Sequence, residues 1–429
     1  MSYDLLIRHA RLHRRQELVD LAIQGGRFVH IAPDIANASA TREIDAQGNM
    51  VLPPFVDSHV HLDAVLTVGQ PRYNNSGTLL EGIQIWSERK PGLNREDVRR
   101  RVLEEIRWEV AQGTLHIRSH VDVCDPELTA LRALLEIREE VRDICDLQLV
   151  AFPQDGIFSF PNGRELLRRA MELGCDVVGG IPHYEWTNAL GIEDVHYVFD
   201  LAREFNRDID CHCDETDDPH SRFTEVMAAD TLQQDWQGRV TASHCTAMHS
   251  YDNAYAFKLI RLLERAQVNV VANPFDNVVL QGRFDTYPKR RGIARVKELL
   301  AGGVNVSLGH DSIMDPWFPL GRGDMLAAAQ LALFLCHMSG YEEIQDVLDL
   351  ITTNGARTLR IQDHYGIEEG KPASFLIIDA PSAFEALRLL PARLYVFKDG
   401  REVAHTTPAR SSLTRADESG EQNVSYRLP

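Results

Sequence analysis

Two histidines separated by a single residue are the first candidates for chemistry in this chain. His59 and His61 lie in the sequence VDSHVHLD at residues 56–63, directly after an apolar run that predicts a buried strand. Because side chains alternate along a strand, both imidazoles project to the same side, where they form half of a metal site. The alternative is two unrelated histidines near the rim of a barrel, since short motifs also match by accident.

The carboxyl ends of later apolar segments supply the remaining ligand candidates. The strings found there are FPQDG (152–156), CHCDE (211–215), SHCT (243–246) and GHDS (309–312). Together with the first motif they offer three imidazoles and one carboxylate: His59, His61, His212 and Asp311. This set suits one divalent ion, Zn²⁺ or Fe²⁺, with a position left for water. The alternative, four polar groups satisfied separately, would require independent placement at strand ends on one face.

Apolar strands alternate with amphipathic helices through the middle of the chain. The strands are predicted at 51–59, 114–121, 147–152, 176–181, 208–212, 240–244, 268–272 and 304–309. Eight such units predict an α/β protein, a parallel (β/α)8 or TIM barrel, rather than a doubly wound sheet. Barrel enzymes assemble their sites at the carboxyl ends of the strands, which is where the polar residues fall.

Both ends of the chain predict a small β-sandwich beside the barrel. Short strands alternate through residues 2–55, and strand-like segments with a hairpin turn return after residue 373. We therefore predict one part of the sandwich at 1–54, the metallohydrolase barrel at 55–369, and the other part with a polar tail at 370–429. The tail from Thr406 onward is polar and aperiodic, which predicts disorder or an arm across a neighbouring subunit.

Composition excludes several classes of partner. The 429 residues carry a formal charge of −18, which argues against nucleic acid and anionic membranes. No apolar run approaches membrane-spanning length, and the first residues lack the pattern of a signal peptide. The seven cysteines form no secreted-type framework, so we predict reduced core thiols in a cytoplasmic protein. Alternation turns Cys211 and Cys213 away from the face that carries His212, so they too are predicted to be core.

These strings resemble the amidohydrolase superfamily and, within it, the cytosine deaminase family. The matching strings are VDSHVHLD (56–63), AFPQDG (151–156), HCDE (212–215), SHCTAMHS (243–250) and GHDSIMDPW (309–317). The likeness covers the whole chain. It implies a deaminase of free pyrimidine bases, with no nucleic-acid or membrane partner, that assembles as a homo-oligomer, often a hexamer.

Two absences narrow the subclass and the metal count. No lysine occurs between Lys90 and Lys258, so the carboxylated lysine that bridges two metals in many relatives has no counterpart after strand four. A single metal is implied, against urease-like and dihydroorotase-like members. The separate zinc deaminase class, with Pro-Cys-x-x-Cys ligands, is excluded because the chain has no Cys-x-x-Cys.

The resemblance also implies roles for the groups around the metal. A divalent ion lowers the pKa of water that it binds, which supplies a nucleophile for the amidine-like carbon of an aminopyrimidine. Glu215, three residues beyond His212, is expected to protonate the ring nitrogen as general acid; the alternative is a solvated loop carboxylate. Asp311 is expected to pass the water proton to the departing ammonia. His244 is implied to be a neighbour of the metal that assists deprotonation, rather than a ligand.

Three further residues are predicted to bind the substrate. The Gln154 amide can both donate and accept, which suits the O2 and N1–H edge of a pyrimidine. Trp317 is a candidate wall against the ring face, with core packing as the alternative. In typical cytosine deaminases a second aspartate occupies the position of Ser312, beside C5 of the ring. The smaller neutral hydroxyl leaves room for a methyl group, so 5-methylcytosine to thymine is the leading candidate beside cytosine to uracil.

The sequence also allows other functions and leaves the roles of several histidines open. The enzyme alternatives are deamination or hydrolysis of isoguanine, isocytosine, creatinine-like or triazine-like rings. A catalytically silent barrel that serves as a binding protein is the alternative of a different class. His116, His120 and His183 could reach the barrel mouth, but we interpret them as structural. We interpret His310 as packing or as a group behind the metal ligands. The ligand set does not choose between iron and zinc.

Overall fold

The fold begins with a sheet that flanks the main domain. The computed structural model describes residues 2–414 and 421–427. The first strands are β1 (Ser2–Leu12), β2 (Leu18–Gln24), β3 (Arg27–Ala32), β4 (Ser39–Asp45) and β5 (Met50–Leu52). β1 pairs antiparallel with β2 and parallel with β4 and β5, so it lies in the middle of this sheet.

A parallel barrel follows directly. Its strands are β6 (Phe55–Val60), β7 (Thr114–Asp122), β8 (Asp146–Phe152), β9 (Val177–Gly180), β10 (Asp208–Cys213), β11 (Val240–His244), β12 (Asn269–Ala272) and β13 (Val306–Leu308). Each strand pairs with the next, and a parallel bridge between Val60 and Asp311 joins the first to the last. The predicted (β/α)8 barrel with a flanking sheet is confirmed.

Helices cover the outside of the barrel and bury its apolar outer face. They are α1 (Leu79–Arg89), α2 (Arg95–Ala111), α3 (Thr129–Val141), α4 (Gly163–Leu173), α5 (Asn188–Phe205), α6 (Phe223–Gln233), α7 (Asn253–Ala266), α8 (Pro274–Leu280), α9 (Val296–Ala301), α10 (Met325–Leu335), α11 (Tyr341–Leu350), α12 (Thr353–Thr358) and α13 (Ala383–Leu389). Side-chain caps begin several of them, as Asn94 does for α2 and Asp252 for α7. No helix in the described ranges is both long enough and apolar enough to cross a membrane.

The end of the chain completes the flanking sheet. The remaining strands are β14 (Phe375–Ile378), β15 (Arg393–Lys398), β16 (Arg401–His405), β17 (Ser411–Thr414) and β18 (Glu421–Val424). β14 pairs with β5, so both chain ends share one sheet around its own apolar core, in which Phe28 packs on Phe375. The domain boundaries at residues 54 and 369 stay predictions.

Two sequence predictions about the ends need correction. The strand predicted at 51–59 is two strands: β5 belongs to the flanking sheet and β6 to the barrel. Pro53 and Pro54 separate them, because proline has no N–H to donate to a ladder and restricts the preceding residue. The tail is also more regular than predicted, since β17 and β18 form an antiparallel pair. Residues 415–420 of that predicted tail lie outside the described part.

Candidate active site

Four ligand candidates converge at the carboxyl end of the barrel. The Nε2 atoms of His61 and His212 are 3.0 Å apart, and Asp311 Oδ1 lies 3.5 Å from His61 Nε2 and 3.5 Å from His59 Nε2. All four residues are buried. Ligands bound tetrahedrally at about 2.0–2.1 Å are about 3.4 Å from one another, so these separations fit one ion.

The electrostatics of the four side chains also fit a cation. Burial lowers the pKa of His59 and His212 well below the usual value and that of His61 to about 4, so the imidazoles are neutral and free to ligate. Neither ring nitrogen of His59 has a hydrogen-bond partner among the described residues, nor does Asp311 Oδ2. Buried polar atoms are normally satisfied, so the cluster is suited to a divalent metal.

The backbone holds the first and last barrel strands together at this site. Asp311 N–H donates to the His59 carbonyl at 2.8 Å, and His61 N–H donates to the Asp311 carbonyl at 3.0 Å. Asp57 Oδ1 accepts from the backbone N–H groups of His59 and His310. Asp311 has a φ of 73°, an uncommon conformation for a residue other than glycine, which turns its side chain into the barrel mouth. The backbone contacts therefore fix the relative positions of His59, His61 and Asp311.

Glu215 and His244 meet beside the ligand cluster. Glu215 Oε1 lies 3.5 Å from His244 Nδ1, and both side chains are buried. Burial raises the pKa of Glu215 to about 8, so this carboxyl group holds a proton at neutral pH. Burial lowers the pKa of His244 well below its usual value, which keeps its imidazole neutral. The amide nitrogen of Asn277 lies 3.0 Å from His244 Nδ1 and can only donate, so Nδ1 accepts.

A narrow cavity opens onto these groups. It is lined in part by Gln154, Glu215, His244, Asp276, Ser312 and Trp317. All three residues predicted to bind the substrate therefore reach the same space.

The position of Trp317 follows from one glycine. A Cβ at Gly82 on α1 would lie 2.4 Å from the Trp317 ring, so only glycine allows the indole to lie against this helix. The ring also lies 6.3 Å from that of His61 at an interplanar angle of 30°. Trp317 is 6 % exposed. Trp317 therefore both lines the cavity and packs in the protein core.

The comparisons with known proteins agree with this geometry. The sequence profile described as the amidohydrolase family matches residues 42–404. The chain belongs to the amidohydrolase family. A crystal structure of 5-methylcytosine deaminase from Klebsiella pneumoniae, liganded with 5-fluorocytosine, is 49% identical with a TM-score of 0.92. The match covers 94% of this chain and 98% of that one.

Two curated relatives of this amidohydrolase act on other rings. N-isopropylammelide isopropyl amidohydrolase of Pseudomonas sp. (strain ADP) is 31% identical over 93% of this chain and 97% of its own length. Pterin deaminase of Rhizobium rhizogenes is 28% identical over 91% of this chain and 88% of its own length. The predicted superfamily is thus confirmed, and the 49% neighbour is consistent with the cytosine deaminase branch.

His120, interpreted from the sequence as structural, lies inside the site of this amidohydrolase. Its ring stacks on that of His59, with centroids 3.8 Å apart. Below it, Arg118 Nη1 donates to Asp210 Oδ2 at 3.0 Å in a buried ion pair that fills the barrel interior. The signal was present: His120 and Arg118 are two residues apart on β7, so alternation turns both toward the interior. His116, on the same face, lies at the opposite end of the strand and pairs with Asp146.

Sequence reasoning missed Asp276, although it lines the cavity. It belongs to α8, which follows the seventh barrel strand, and Ser312 Oγ donates to its Oδ2 at 2.7 Å. His183 is half-buried, and its ring nitrogens have no hydrogen-bond partner in the described ranges. His310 packs on Phe275, in line with its interpretation as packing.

Proposed function

We propose that this amidohydrolase deaminates cytosine-type pyrimidine bases by hydrolysis, with 5-methylcytosine to thymine as the preferred reaction. The supporting observation is a small cavity that joins a metal-binding cluster and a protonated carboxyl group to the neutral side chain of Ser312. The 49% identity to a 5-methylcytosine deaminase over nearly the whole chain supports the same assignment. Intact Glu215, His244 and metal ligands argue against a silent binding barrel.

The four ligand candidates would hold one divalent ion. His59, His61, His212 and Asp311 offer three nitrogens and one oxygen, a set that suits Fe²⁺ as well as Zn²⁺. When bound, the ion supplies an activated water to the site. We propose either iron or zinc, and we further propose a cytoplasmic homo-oligomer that acts on the free base.

The chain's own groups would carry the protons. Glu215 gives its proton to ring nitrogen N3 as the tetrahedral centre forms at C4, and this makes the attack favourable. His244 accepts a hydrogen bond from Asn277, which orients its ring toward the attacking water. Asp311 Oδ2 lies 3.8 Å from His244 Nδ1 and accepts no hydrogen bond from the described residues. It takes the water proton and returns it to the departing amine.

The substrate would be held by its edges and its face. Gln154 donates to O2 and accepts from N1–H. Trp317 covers one face of the ring. Ser312 lies beside C5, where its small side chain admits a methyl group. The methyl contact contributes about 1–3 kcal/mol to the discrimination between 5-methylcytosine and cytosine.

Amine release from a panel of bases, measured as ammonia or, for the alkylated ammelide, as alkylamine, tests the proposed function and the metal together. The panel contains cytosine, 5-methylcytosine, isocytosine, isoguanine, an N-alkylated ammelide and a pterin. We expect 5-methylcytosine to give the highest kcat/KM, at least about threefold above the value for cytosine. The preference should stay below about 200-fold, because a pocket gains no more than that from one methyl group. Prolonged chelation should abolish the release, and Zn²⁺ or Fe²⁺ should restore it. A tenfold preference for cytosine or for a triazine, or activity that persists in metal-free protein, would contradict the proposal.

The pH profile of kcat/KM should report the proton on Glu215. Its pKa is raised to about 8, so the acid is fully present below that value and is lost as the pH rises through it. A bound cation favours the carboxylate, so we expect the alkaline limb to begin at or below pH 8. Rates measured from pH 5.5 to 10 on protein whose metal content is constant would check this. A profile that stays flat to pH 10 would remove Glu215 as the acid.

A further inference from the structure

Asp276 presents an unused carboxylate oxygen to the cavity. The side chain is 2 % exposed, and it enters the site from α8, directly after β12. Its Oδ2 accepts from Ser312 Oγ at 2.7 Å, whereas Oδ1 has no hydrogen-bond partner among the described residues. The hydroxyl of Ser312 thus orients the carboxyl group, while Oδ1 accepts no hydrogen bond. Burial and the neighbouring carboxyl groups of Asp315 and Glu215 raise the pKa of Asp276 well above its usual value, and the Asp311 side chain lies beside it.

A buried acceptor without a partner is costly, so the free oxygen calls for a donor. Native proteins pair nearly all such atoms with protein, water or ligand. Asp276 lines the cavity, as Gln154 does. An occupant of the cavity can therefore supply the missing donor.

The barrel topology identifies the edge of the substrate that Asp276 faces. Gln154 follows the third barrel strand, β8, and Asp276 follows the seventh, β12. Four steps round a ring of eight place these two strand ends on opposite sides of the mouth. If Gln154 binds the O2 and N1–H edge of a pyrimidine, the side opposite meets C4 and C5. The N–H donor on that edge is the exocyclic amine at C4.

We infer that Asp276 Oδ1 accepts a hydrogen bond from the exocyclic amine of the bound base, and that Ser312 holds it in position to do so. This inference rests on the proposed deaminase function. Although Ser312 is neutral, a carboxyl group still lies beside C4 and C5 of the substrate. The chain supplies that group from α8 instead, on the far side of a small hydroxyl that leaves space for a 5-methyl group.

Removal of the carboxylate tests the contact when it is combined with a ligand that lacks the amine. We expect Asp276→Ala to lower kcat/KM for 5-methylcytosine about 30-fold, the effect of leaving a buried donor without its acceptor. The inhibition constant of 2-hydroxypyrimidine, which has no exocyclic amine, should stay unchanged. Asp276→Asn should recover part of the activity, because Ser312 can accept from the new amide and leave its carbonyl for the amine. Asp230→Asn is the control, since it alters a buried carboxylate that pairs with His196 on an outer helix.

Each other outcome decides against a specific statement. Parallel loss of 5-methylcytosine turnover and 2-hydroxypyrimidine binding would mean that Asp276 only supports the pocket. Unchanged kcat/KM in Asp276→Ala at wild-type metal content would mean that it does not contact the substrate. Wild-type protein that releases no ammonia from any aminopyrimidine would instead overturn the proposed function, and this inference with it.

Discussion

Replacement of Glu215 by glutamine is expected to lower kcat for 5-methylcytosine by about 10³-fold, within the range for loss of a general acid. Glutamine keeps the shape and can still donate a hydrogen bond to the ring nitrogen, but it cannot transfer a proton. The Glu215 side chain is buried beside His244, so bulk water cannot deliver the proton in its place. KM should therefore change little, and the loss should appear in kcat.

Steady-state ammonia release with elemental analysis of each preparation would measure this effect. Glu193→Gln, an exposed substitution on α5, is the matched control and should behave as wild type. If Glu215→Gln kept more than a tenth of wild-type kcat at full metal content, the ring nitrogen would take its proton from another group. A change confined to KM would assign Glu215 to binding.

The metal cluster could be predicted from the sequence because the barrel topology brings the strand ends together. In a parallel barrel the carboxyl ends of all strands meet at one rim, so a polar residue after an apolar segment reaches the same mouth wherever it lies in the chain. His59, His212 and Asp311 obey this rule, and the structure brings His212 and Asp311 each within a few ångström of His59. Distances along the sequence did not matter for them.

The position of His120 beside the metal cluster did not follow from this rule. His120 lies inside β7 rather than after it, and the rule concerns residues at strand ends. Its inward direction follows from the two-residue repeat that it shares with Arg118, yet its depth in the barrel depends on the register between β6 and β7. That register contains irregularities between Phe55 and Val60, which no pattern in the sequence predicts.

The surroundings of Ser312 could not be predicted from the sequence at all. Its closest partner, Asp276, is 36 residues away on a short helix, in a segment with no motif of its own. The sequence showed only that a carboxylate expected at 312 was absent. The structure shows that another carboxylate lies 2.7 Å from the hydroxyl. A single-residue comparison therefore gives the size of the change at 312 but not its electrostatic consequence.

That pairing changes what Ser312→Asp should do. Introduction of the aspartate that typical cytosine deaminases carry would set two buried carboxylates side by side, with Asp311 and Asp315 nearby. We expect kcat/KM to fall by about 100-fold or more for both cytosine and 5-methylcytosine, because two carboxyl groups in one desolvated site cannot both ionise, and each disturbs the protonation and position of the other. The same substitution in a site without Asp276 would cost much less.

The double variant Ser312→Asp/Asp276→Asn separates charge from size. Replacing the carboxyl group at position 276 by an amide should restore cytosine deamination at least about tenfold over the single variant, since it removes one of the two competing acids. Activity on 5-methylcytosine should stay low, because the larger side chain at 312 still occupies the space beside C5. Kinetics on both bases, with thermal unfolding to verify the fold, would measure this cycle. If Ser312→Asp alone retained activity on cytosine, the two positions would be uncoupled in the bound complex. Ser312 would then act on the 5-substituent through volume alone.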